Sequence, residues 1–460
     1  MYPARPCSFL HRELLAFCRY SYNKEPPPKR FFHPASRNCH TGGGDCRTGT
    51  PQLKPRGSLP ASASCRPAGP MGNGTSSRLF GTLAQSLNSA PMVQQAYSPE
   101  HEQNPEDLDQ ADPDQLFREC EKALQNRPAR PHRDLVYPAD PTRQHRYRSH
   151  GQQSTPSIRV MTWNILAQAL GEGKDGFVRC PLEALNWTER KYMILEEILT
   201  YRPDILCLQE VDHYYDTFQP ILASLGYQSK FLAKPWSPCL DVAGNNGPDG
   251  CALFYRSVRF SPLHTVHLRL SARLLPTNQV AIVQTLRCRA TGKRLCVAVT
   301  HLKARSGWER MRSAQGADLL QSLKSITSSL GESGAESGGG TEGLPLIVCG
   351  DFNAEPSEDV YRRFISSPLG LDSAYKLLSA DGQTEPAYTT WKIRPSGESC
   401  GTLDYIWYSH GAFAVDTLLD IPTEEQIGPD RLPSYHYPSD HLSLLCDVSF
   451  TDPKDPAHRL

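Results

Sequence analysis

No apolar run in this 460-residue chain approaches the roughly 20 residues that a membrane-spanning helix needs, so a soluble protein is expected. Net charge is lacking too, since 49 Lys and Arg balance 49 Asp and Glu. No whole-chain field then draws the protein to nucleic acid or membrane, and any anion site is local. The 15 cysteines form no CxxC pair and no Cys/His zinc spacing. Cys207, Cys251, Cys296 and Cys349 sit inside apolar, strand-like runs, where a thiol acts as a small hydrophobe. With an odd total, this favours a reducing compartment over a disulfide framework. No internal repeat is present.

Residues 1–70 carry 11 Lys and Arg against three acids and no sustained periodicity, a basic arm that fits a disordered segment or a mitochondrial transit peptide. Six prolines within residues 1–34 work against a long amphipathic helix there. Met71-Gly72-Asn73-Gly74-Thr75-Ser76 fits N-myristoylation if translation starts at Met71 or cleavage exposes Gly72. One acyl chain would anchor the protein only weakly and reversibly. The full-length form is therefore expected in mitochondria and the Met71 form in the cytoplasm, with the nucleus left open. Residues 71–156 read as a mostly disordered linker with a short helix near 114–124, capped near Asp114. Residues 451–460 read as a tail.

The stretch 157–450 is long enough for a large core. Strand-like runs fall at 158–164, 204–211, 251–255, 280–286, 295–302, 344–350, 403–408 and 442–448. Helical periodicity covers 187–201, stopped by Pro203, and 310–330. A Ser/Gly/Glu-rich segment, 328–343, reads as a surface insertion. Apolar strands alternating with helices predict two packed sheets flanked by helices.

Polar residues end several of these runs. Phosphoester hydrolysis needs charge neutralisation on the phosphoryl oxygens, an activated water and help for the leaving group. Glu210 offers a hard oxygen suited to magnesium, and Asn164 a neutral carbonyl ligand beside it. Asp351 and Asn353 are two apart, placed to hold water and to stabilise developing charge. His441 is a candidate donor to the phosphoryl group, with Asp404 to fix its tautomer. Taken singly, each motif is most often a turn or a cap; their ordered occurrence at strand ends favours function.

Trp163-Asn164, Gln209-Glu210, Gly350-Asp351-Phe352-Asn353, Leu403-Asp404-Tyr405-Ile406 and Ser439-Asp440-His441-Leu442 resemble the exonuclease–endonuclease–phosphatase superfamily. The longer strings at 164–175, 234–239 and 301–305 place the resemblance in its deadenylase-like branch. The resemblance implies a four-layer α/β sandwich and one or two Mg²⁺ ions held chiefly by Glu210 with Asn164. It also implies a water and transition-state pair in Asp351 and Asn353, orientation of His441 by Asp404, and Asp440 on the metal side.

Lys234, Lys303, Arg305, Lys392 and Arg394, with His301, lie near the motif-bearing runs as candidate phosphate binders. Alternation beyond the strand end places 301, 303 and 305 on one side. The resemblance then implies removal of the 2′-phosphate from NADP⁺ and NADPH, giving NAD⁺ and NADH. The alternative is a 3′-exonuclease shortening poly(A) RNA, for which Trp236, Trp308 and Trp391 are candidate stacking residues. A non-catalytic RNA- or protein-binding module ranks third, because every motif position is filled. The longer strings argue against a DNA substrate.

Overall fold

The computed structural model describes residues 111–139, 156–332 and 343–451. The basic arm, Gly72 and the tail beyond 451 lie outside the described residues.

The first half includes α1 (Pro113–Ala123), β1 (Leu135–Val136), β2 (Ile158–Asn164), α2 (Trp187–Tyr201), β3 (Ile205–Val211), β4 (Tyr227–Ala233) and β5 (Gly250–Arg256). The long hairpin β6 (Phe260–Ala272) and β7 (Leu275–Cys288) leads to β8 (Arg294–His301), α3 (Glu309–Glu332) and β9 (Leu346–Asp351). After α4 (Asp359–Ile365) come β10 (Leu371–Ser373), β11 (Thr390–Arg394), β12 (Gly397–Gly401), β13 (Asp404–Ser409), β14 (Phe413–Leu419) and β15 (Leu444–Phe450). One sheet has the order β1-β14-β15-β2-β3-β5-β4 and a second β10-β13-β9-β8-β7-β6, with β11-β12 as a separate pair.

Period-two alternation sorts the layers. Cys207, Leu253, Val297, Cys349 and Cys446 meet between the two sheets. Leu206 and Leu208 face outward against Ile194 and Ile198 of α2. Ala298, Val348 and Trp407 face the other way against Leu319 and Leu323 of α3 and Phe364 of α4. The result is the four-layer sandwich of two mixed sheets flanked by helices.

Three boundaries differ from the sequence reading. The helix in the expected linker is capped by Asp112, whose carboxylate accepts from Asp114 N–H, and it buries Leu116 and Cys120 against Leu195 and Leu199 of α2. Downstream, β1 pairs with β14, and buried Arg133 donates to Asp420 O, Ser443 Oγ and Ser443 O. Residues 111–139 are thus part of the sandwich rather than a linker. In the expected insertion, residues 328–332 continue α3; residues 333–342 lie outside the described residues. The hairpin strand β6 and the strands β4, β11, β12 and β14 carry no run that the sequence reading recognised. Each lies at an edge or keeps a face that is exposed or only half-buried, so its apolar pattern is weak.

Candidate active site

Strand register assembles one half of the site. Parallel pairing of β8 with β9 sets His301 opposite Asp351, and antiparallel pairing of β9 with β13 sets Asp404 opposite Asp351. Three chemistry-bearing residues therefore sit abreast on adjacent strand ends. Gly350 permits the close approach, since a Cβ there would lie 2.1 Å from Thr300 O. In the other sheet Asn164 pairs with Gln209 at the ends of β2 and β3. A register break in β3–β5 between Leu208 and Val211, with Glu210 at φ 57, turns Glu210 out of the ladder. Such a backbone is strained for glutamate and is retained here at the site.

Asp351 is the hub. Its Oδ1 accepts from Asn353 N–H at 2.8 Å, and Oδ2 accepts from Asn164 Nδ2 at 3.0 Å. Asn353 sits at φ 51, a conformation asparagine tolerates, and its Nδ2 lies 2.9 Å from His301 Nε2. Burial raises the Asp351 pKa; the His441 cation opposes this, and the Asp404 carboxylate adds to it.

His441 Nδ1 donates to Asp404 Oδ2 at 2.8 Å, and Nε2 lies 3.7 Å from Asp351 Oδ2. Burial disfavours the imidazolium, and Lys392 does too, but Asp404, Asp351 and Asp440 outweigh both and raise its pKa to about 9. His441 is therefore a cation at neutral pH. Thr389, absent from the sequence reading, donates its hydroxyl to Asp404 Oδ2 and accepts from the backbone N–H of Asp404. Ser439 similarly bridges Asn164 O and His441 N–H. Thr389 carries no sequence signal, whereas Ser439 opens the motif that contains His441.

Asn164 departs from its expected geometry. Its Oδ1 accepts from Leu166 N–H, so the amide nitrogen faces Glu210 Oε1 and Asp351 Oδ2. In this arrangement it orients carboxylates rather than presenting its oxygen to a cation. Glu210 stays half-buried, with Oε2 accepting from Ala167 N–H. Burial, then the carboxylates of Asp249 and Asp440, raise its pKa to about 7. A carboxyl so placed gains from a cation. Asp351, Asp404 and His441 bring ligand atoms within 4.8 Å of one another, and Asp404 Oδ1 is buried without a hydrogen-bond partner. These oxygen-rich donors are compatible with a divalent metal.

Most of the expected phosphate-binding cations are already paired. Lys234 donates to buried Asp249 at 2.6 Å and lies 3.3 Å from His301 Nδ1. Lys392 is bonded to Asp440, whose carboxyl lies well below the ordinary range because Lys392, His441 and Arg394 overcome burial. Arg394 donates to Asp175 at 2.6 Å and lies 3.5 Å from Asp440. His301 is buried, and that burial, with Lys234, His441 and Lys303 nearby, holds its pKa well below the ordinary value. The expected alternation to 303 and 305 does not occur: β8 ends at His301, and Arg305 turns to φ 81. Lys303 is half-buried with its ammonium 5.2 Å from the Trp308 ring centre, and Arg305 is exposed. Neither forms an ion pair with a carboxylate among the described residues.

The match to known families covers this assembly. Residues 161–441 fit the Endonuclease/Exonuclease/phosphatase family. The chain belongs to that family. It is 59% identical to rat (Rattus norvegicus) nocturnin over 89% of this chain and 90% of that protein. The solved human nocturnin catalytic domain, with a bound sulfate anion, is 56% identical with TM-score 0.55, covering 70% of this chain and 97% of that one. ANGEL2, a 2′,3′-cyclic phosphatase solved with adenosine-2′,3′-vanadate, is 26% identical with TM-score 0.55, covering 69% of this chain and 99% of that one.

Proposed function

We propose that the chain is a magnesium-dependent phosphatase that removes the 2′-phosphate of NADP⁺ and NADPH. Water attacks phosphorus, the bond to the ribose 2′-oxygen breaks as that oxygen takes up a proton, and NAD⁺ or NADH leaves with inorganic phosphate. The pairing pattern of the cations carries this reading. Lys234, Lys392 and Arg394 each form an ion pair with a carboxylate, while Lys303 and Arg305 form none among the described residues. That small surplus suits a compact phosphorylated ligand better than an extended nucleic-acid backbone. Likeness to nocturnin supports it, as does likeness to ANGEL2, a 2′,3′-cyclic phosphatase solved with adenosine-2′,3′-vanadate.

In this mechanism Glu210 would be the main magnesium ligand, and the ion would supply charge neutralisation at the phosphoryl oxygens. Asp351, whose carboxyl is raised by burial, takes the proton from the attacking water. The Asn353 amide and the His441 cation hydrogen-bond the phosphoryl oxygens as negative charge builds. Asp404 keeps His441 charged and oriented, with Thr389 fixing Asp404. Asp440 keeps Lys392 beside His441.

A poly(A) 3′-exonuclease uses the same chemistry. Trp236, 47% exposed two residues from Lys234, offers a stacking face for a base in that case. Phosphate release by the full chain with magnesium, from NADPH, NADP⁺ and oligoadenylate in parallel, separates the two. Release from the dinucleotides without shortening of the oligoadenylate supports the phosphatase. Shortening alone overturns it.

A further inference from the structure

Arg394 is the cation whose partners are least expected. Its Nη2 donates to Asp175 Oδ2 at 2.6 Å, while Asp440, a residue of the catalytic cluster, is 3.5 Å away and already bonded to Lys392. Three contacts hold the 175–178 loop to β11. They are the Asp175–Arg394 pair, the Phe177 ring 5.3 Å from the Arg394 guanidinium carbon, and Val178 N–H donating to Ile393 O at 3.0 Å. Gly176 turns the chain between them at φ 59. Arg394 Nε is buried and has no hydrogen-bond partner, so the guanidinium retains unspent donor capacity. Both side chains of the pair keep contact with solvent, at 32% and 24% exposure. A ligand anion can therefore reach the position Asp175 holds.

We infer that Asp175 is a specificity-determining residue: a built-in carboxylate that occupies Arg394, so that a second ligand phosphate is directed to Lys303 and Arg305 and longer polyanions are disfavoured. A carboxylate and a phosphate oxygen compete for the same planar guanidinium donors. Discrimination here comes from a repulsive element placed in the cleft as well as from attractive contacts. The inference deepens the phosphatase reading and rests on it for the identity of the compact ligand.

Calorimetric binding of inorganic pyrophosphate to the full chain, with magnesium in excess, tests it without turnover. Asp175→Asn should tighten pyrophosphate binding by up to about fivefold, the upper range for a solvent-exposed ion pair. Orthophosphate should change less. In an Arg394→Ala background the same substitution should give no tightening. Unchanged or weaker binding overturns the inference. So does equal tightening in both backgrounds, which would reflect only a general loss of negative charge. Asp175→Ala repeats the comparison if the Asn variant melts early. Failure of the phosphatase reading would appear separately, as no phosphate release from NADPH by the unaltered chain.

Discussion

His301 Nε2 and His441 Nε2 lie 3.5 and 3.7 Å from the same atom, Asp351 Oδ2, yet the two imidazoles are held in different charge states. Burial disfavours the cation at both rings, and the group behind each then opposes or adds to it. Asp404 sits behind His441 and stabilises its cation; the Lys234 ammonium sits behind His301, which is buried and stays neutral. Two like residues at one carboxylate thus supply one charged and one neutral partner.

That contrast sets the pH response. The His441 pKa in the fold, about 9, lies above the ordinary value of 6.5. Its stabilising contribution is complete below pH 6.5 and is lost as pH rises through 9. Turnover that needs the cation should hold to about pH 9 and then fall. Asp404→Asn removes the main stabilising carboxylate and should shift that alkaline limb to lower pH, read from kcat between pH 6 and 10. An unmoved limb would assign it to another group.

Glu210 should govern magnesium affinity. With its carboxyl pKa raised to about 7, ion binding below that pH must displace a proton. Magnesium titrations at pH 6 and pH 8 are expected to show weaker binding and more proton release at pH 6. Residues that merely support a ligand cost about 10–100-fold when removed, so Glu210→Ala should exceed that loss while leaving the melting temperature nearly unchanged. Near-parental activity would rule Glu210 out as the main ligand.

Lys303 and Arg305 should act on binding. Each →Ala substitution is expected to weaken NADPH binding by about 1.5–3 kcal/mol, the usual worth of a charged hydrogen bond, seen in KM more than in kcat. Unaltered KM for both variants would remove them from the substrate site.

The upstream strap should matter to stability although it bears no catalytic group. Arg133 and Arg130 both face Glu197, which is fully buried and accepts from Ser443 Oγ at 2.6 Å. Breaking a buried pair from one side costs about 3–5 kcal/mol, so Arg133→Ala should lower stability by that order in urea unfolding. A chain starting at residue 157 should be less stable still, since it also loses the packing of α1 on α2.

Much of the sandwich was legible in the sequence because β2, β3, β5, β8, β9, β13 and β15 are buried on both faces and read as apolar runs. The motif residues at their ends were legible for the same reason: Asn164, Glu210, Asp351, Asp404 and His441 break hydrophobic stretches. Sequence alone also determined the type of chemistry, since oxygen donors and imidazole at strand ends are what phosphoester hydrolysis requires. Only the tertiary structure decided the charge state of each group and who neutralises whom. Asp249 lies 15 residues from Lys234 and Asp175 lies 219 from Arg394, separations at which local patterning carries no information. Burial then sets which of these charges survive, and burial is a property of all the layers together rather than of any one segment.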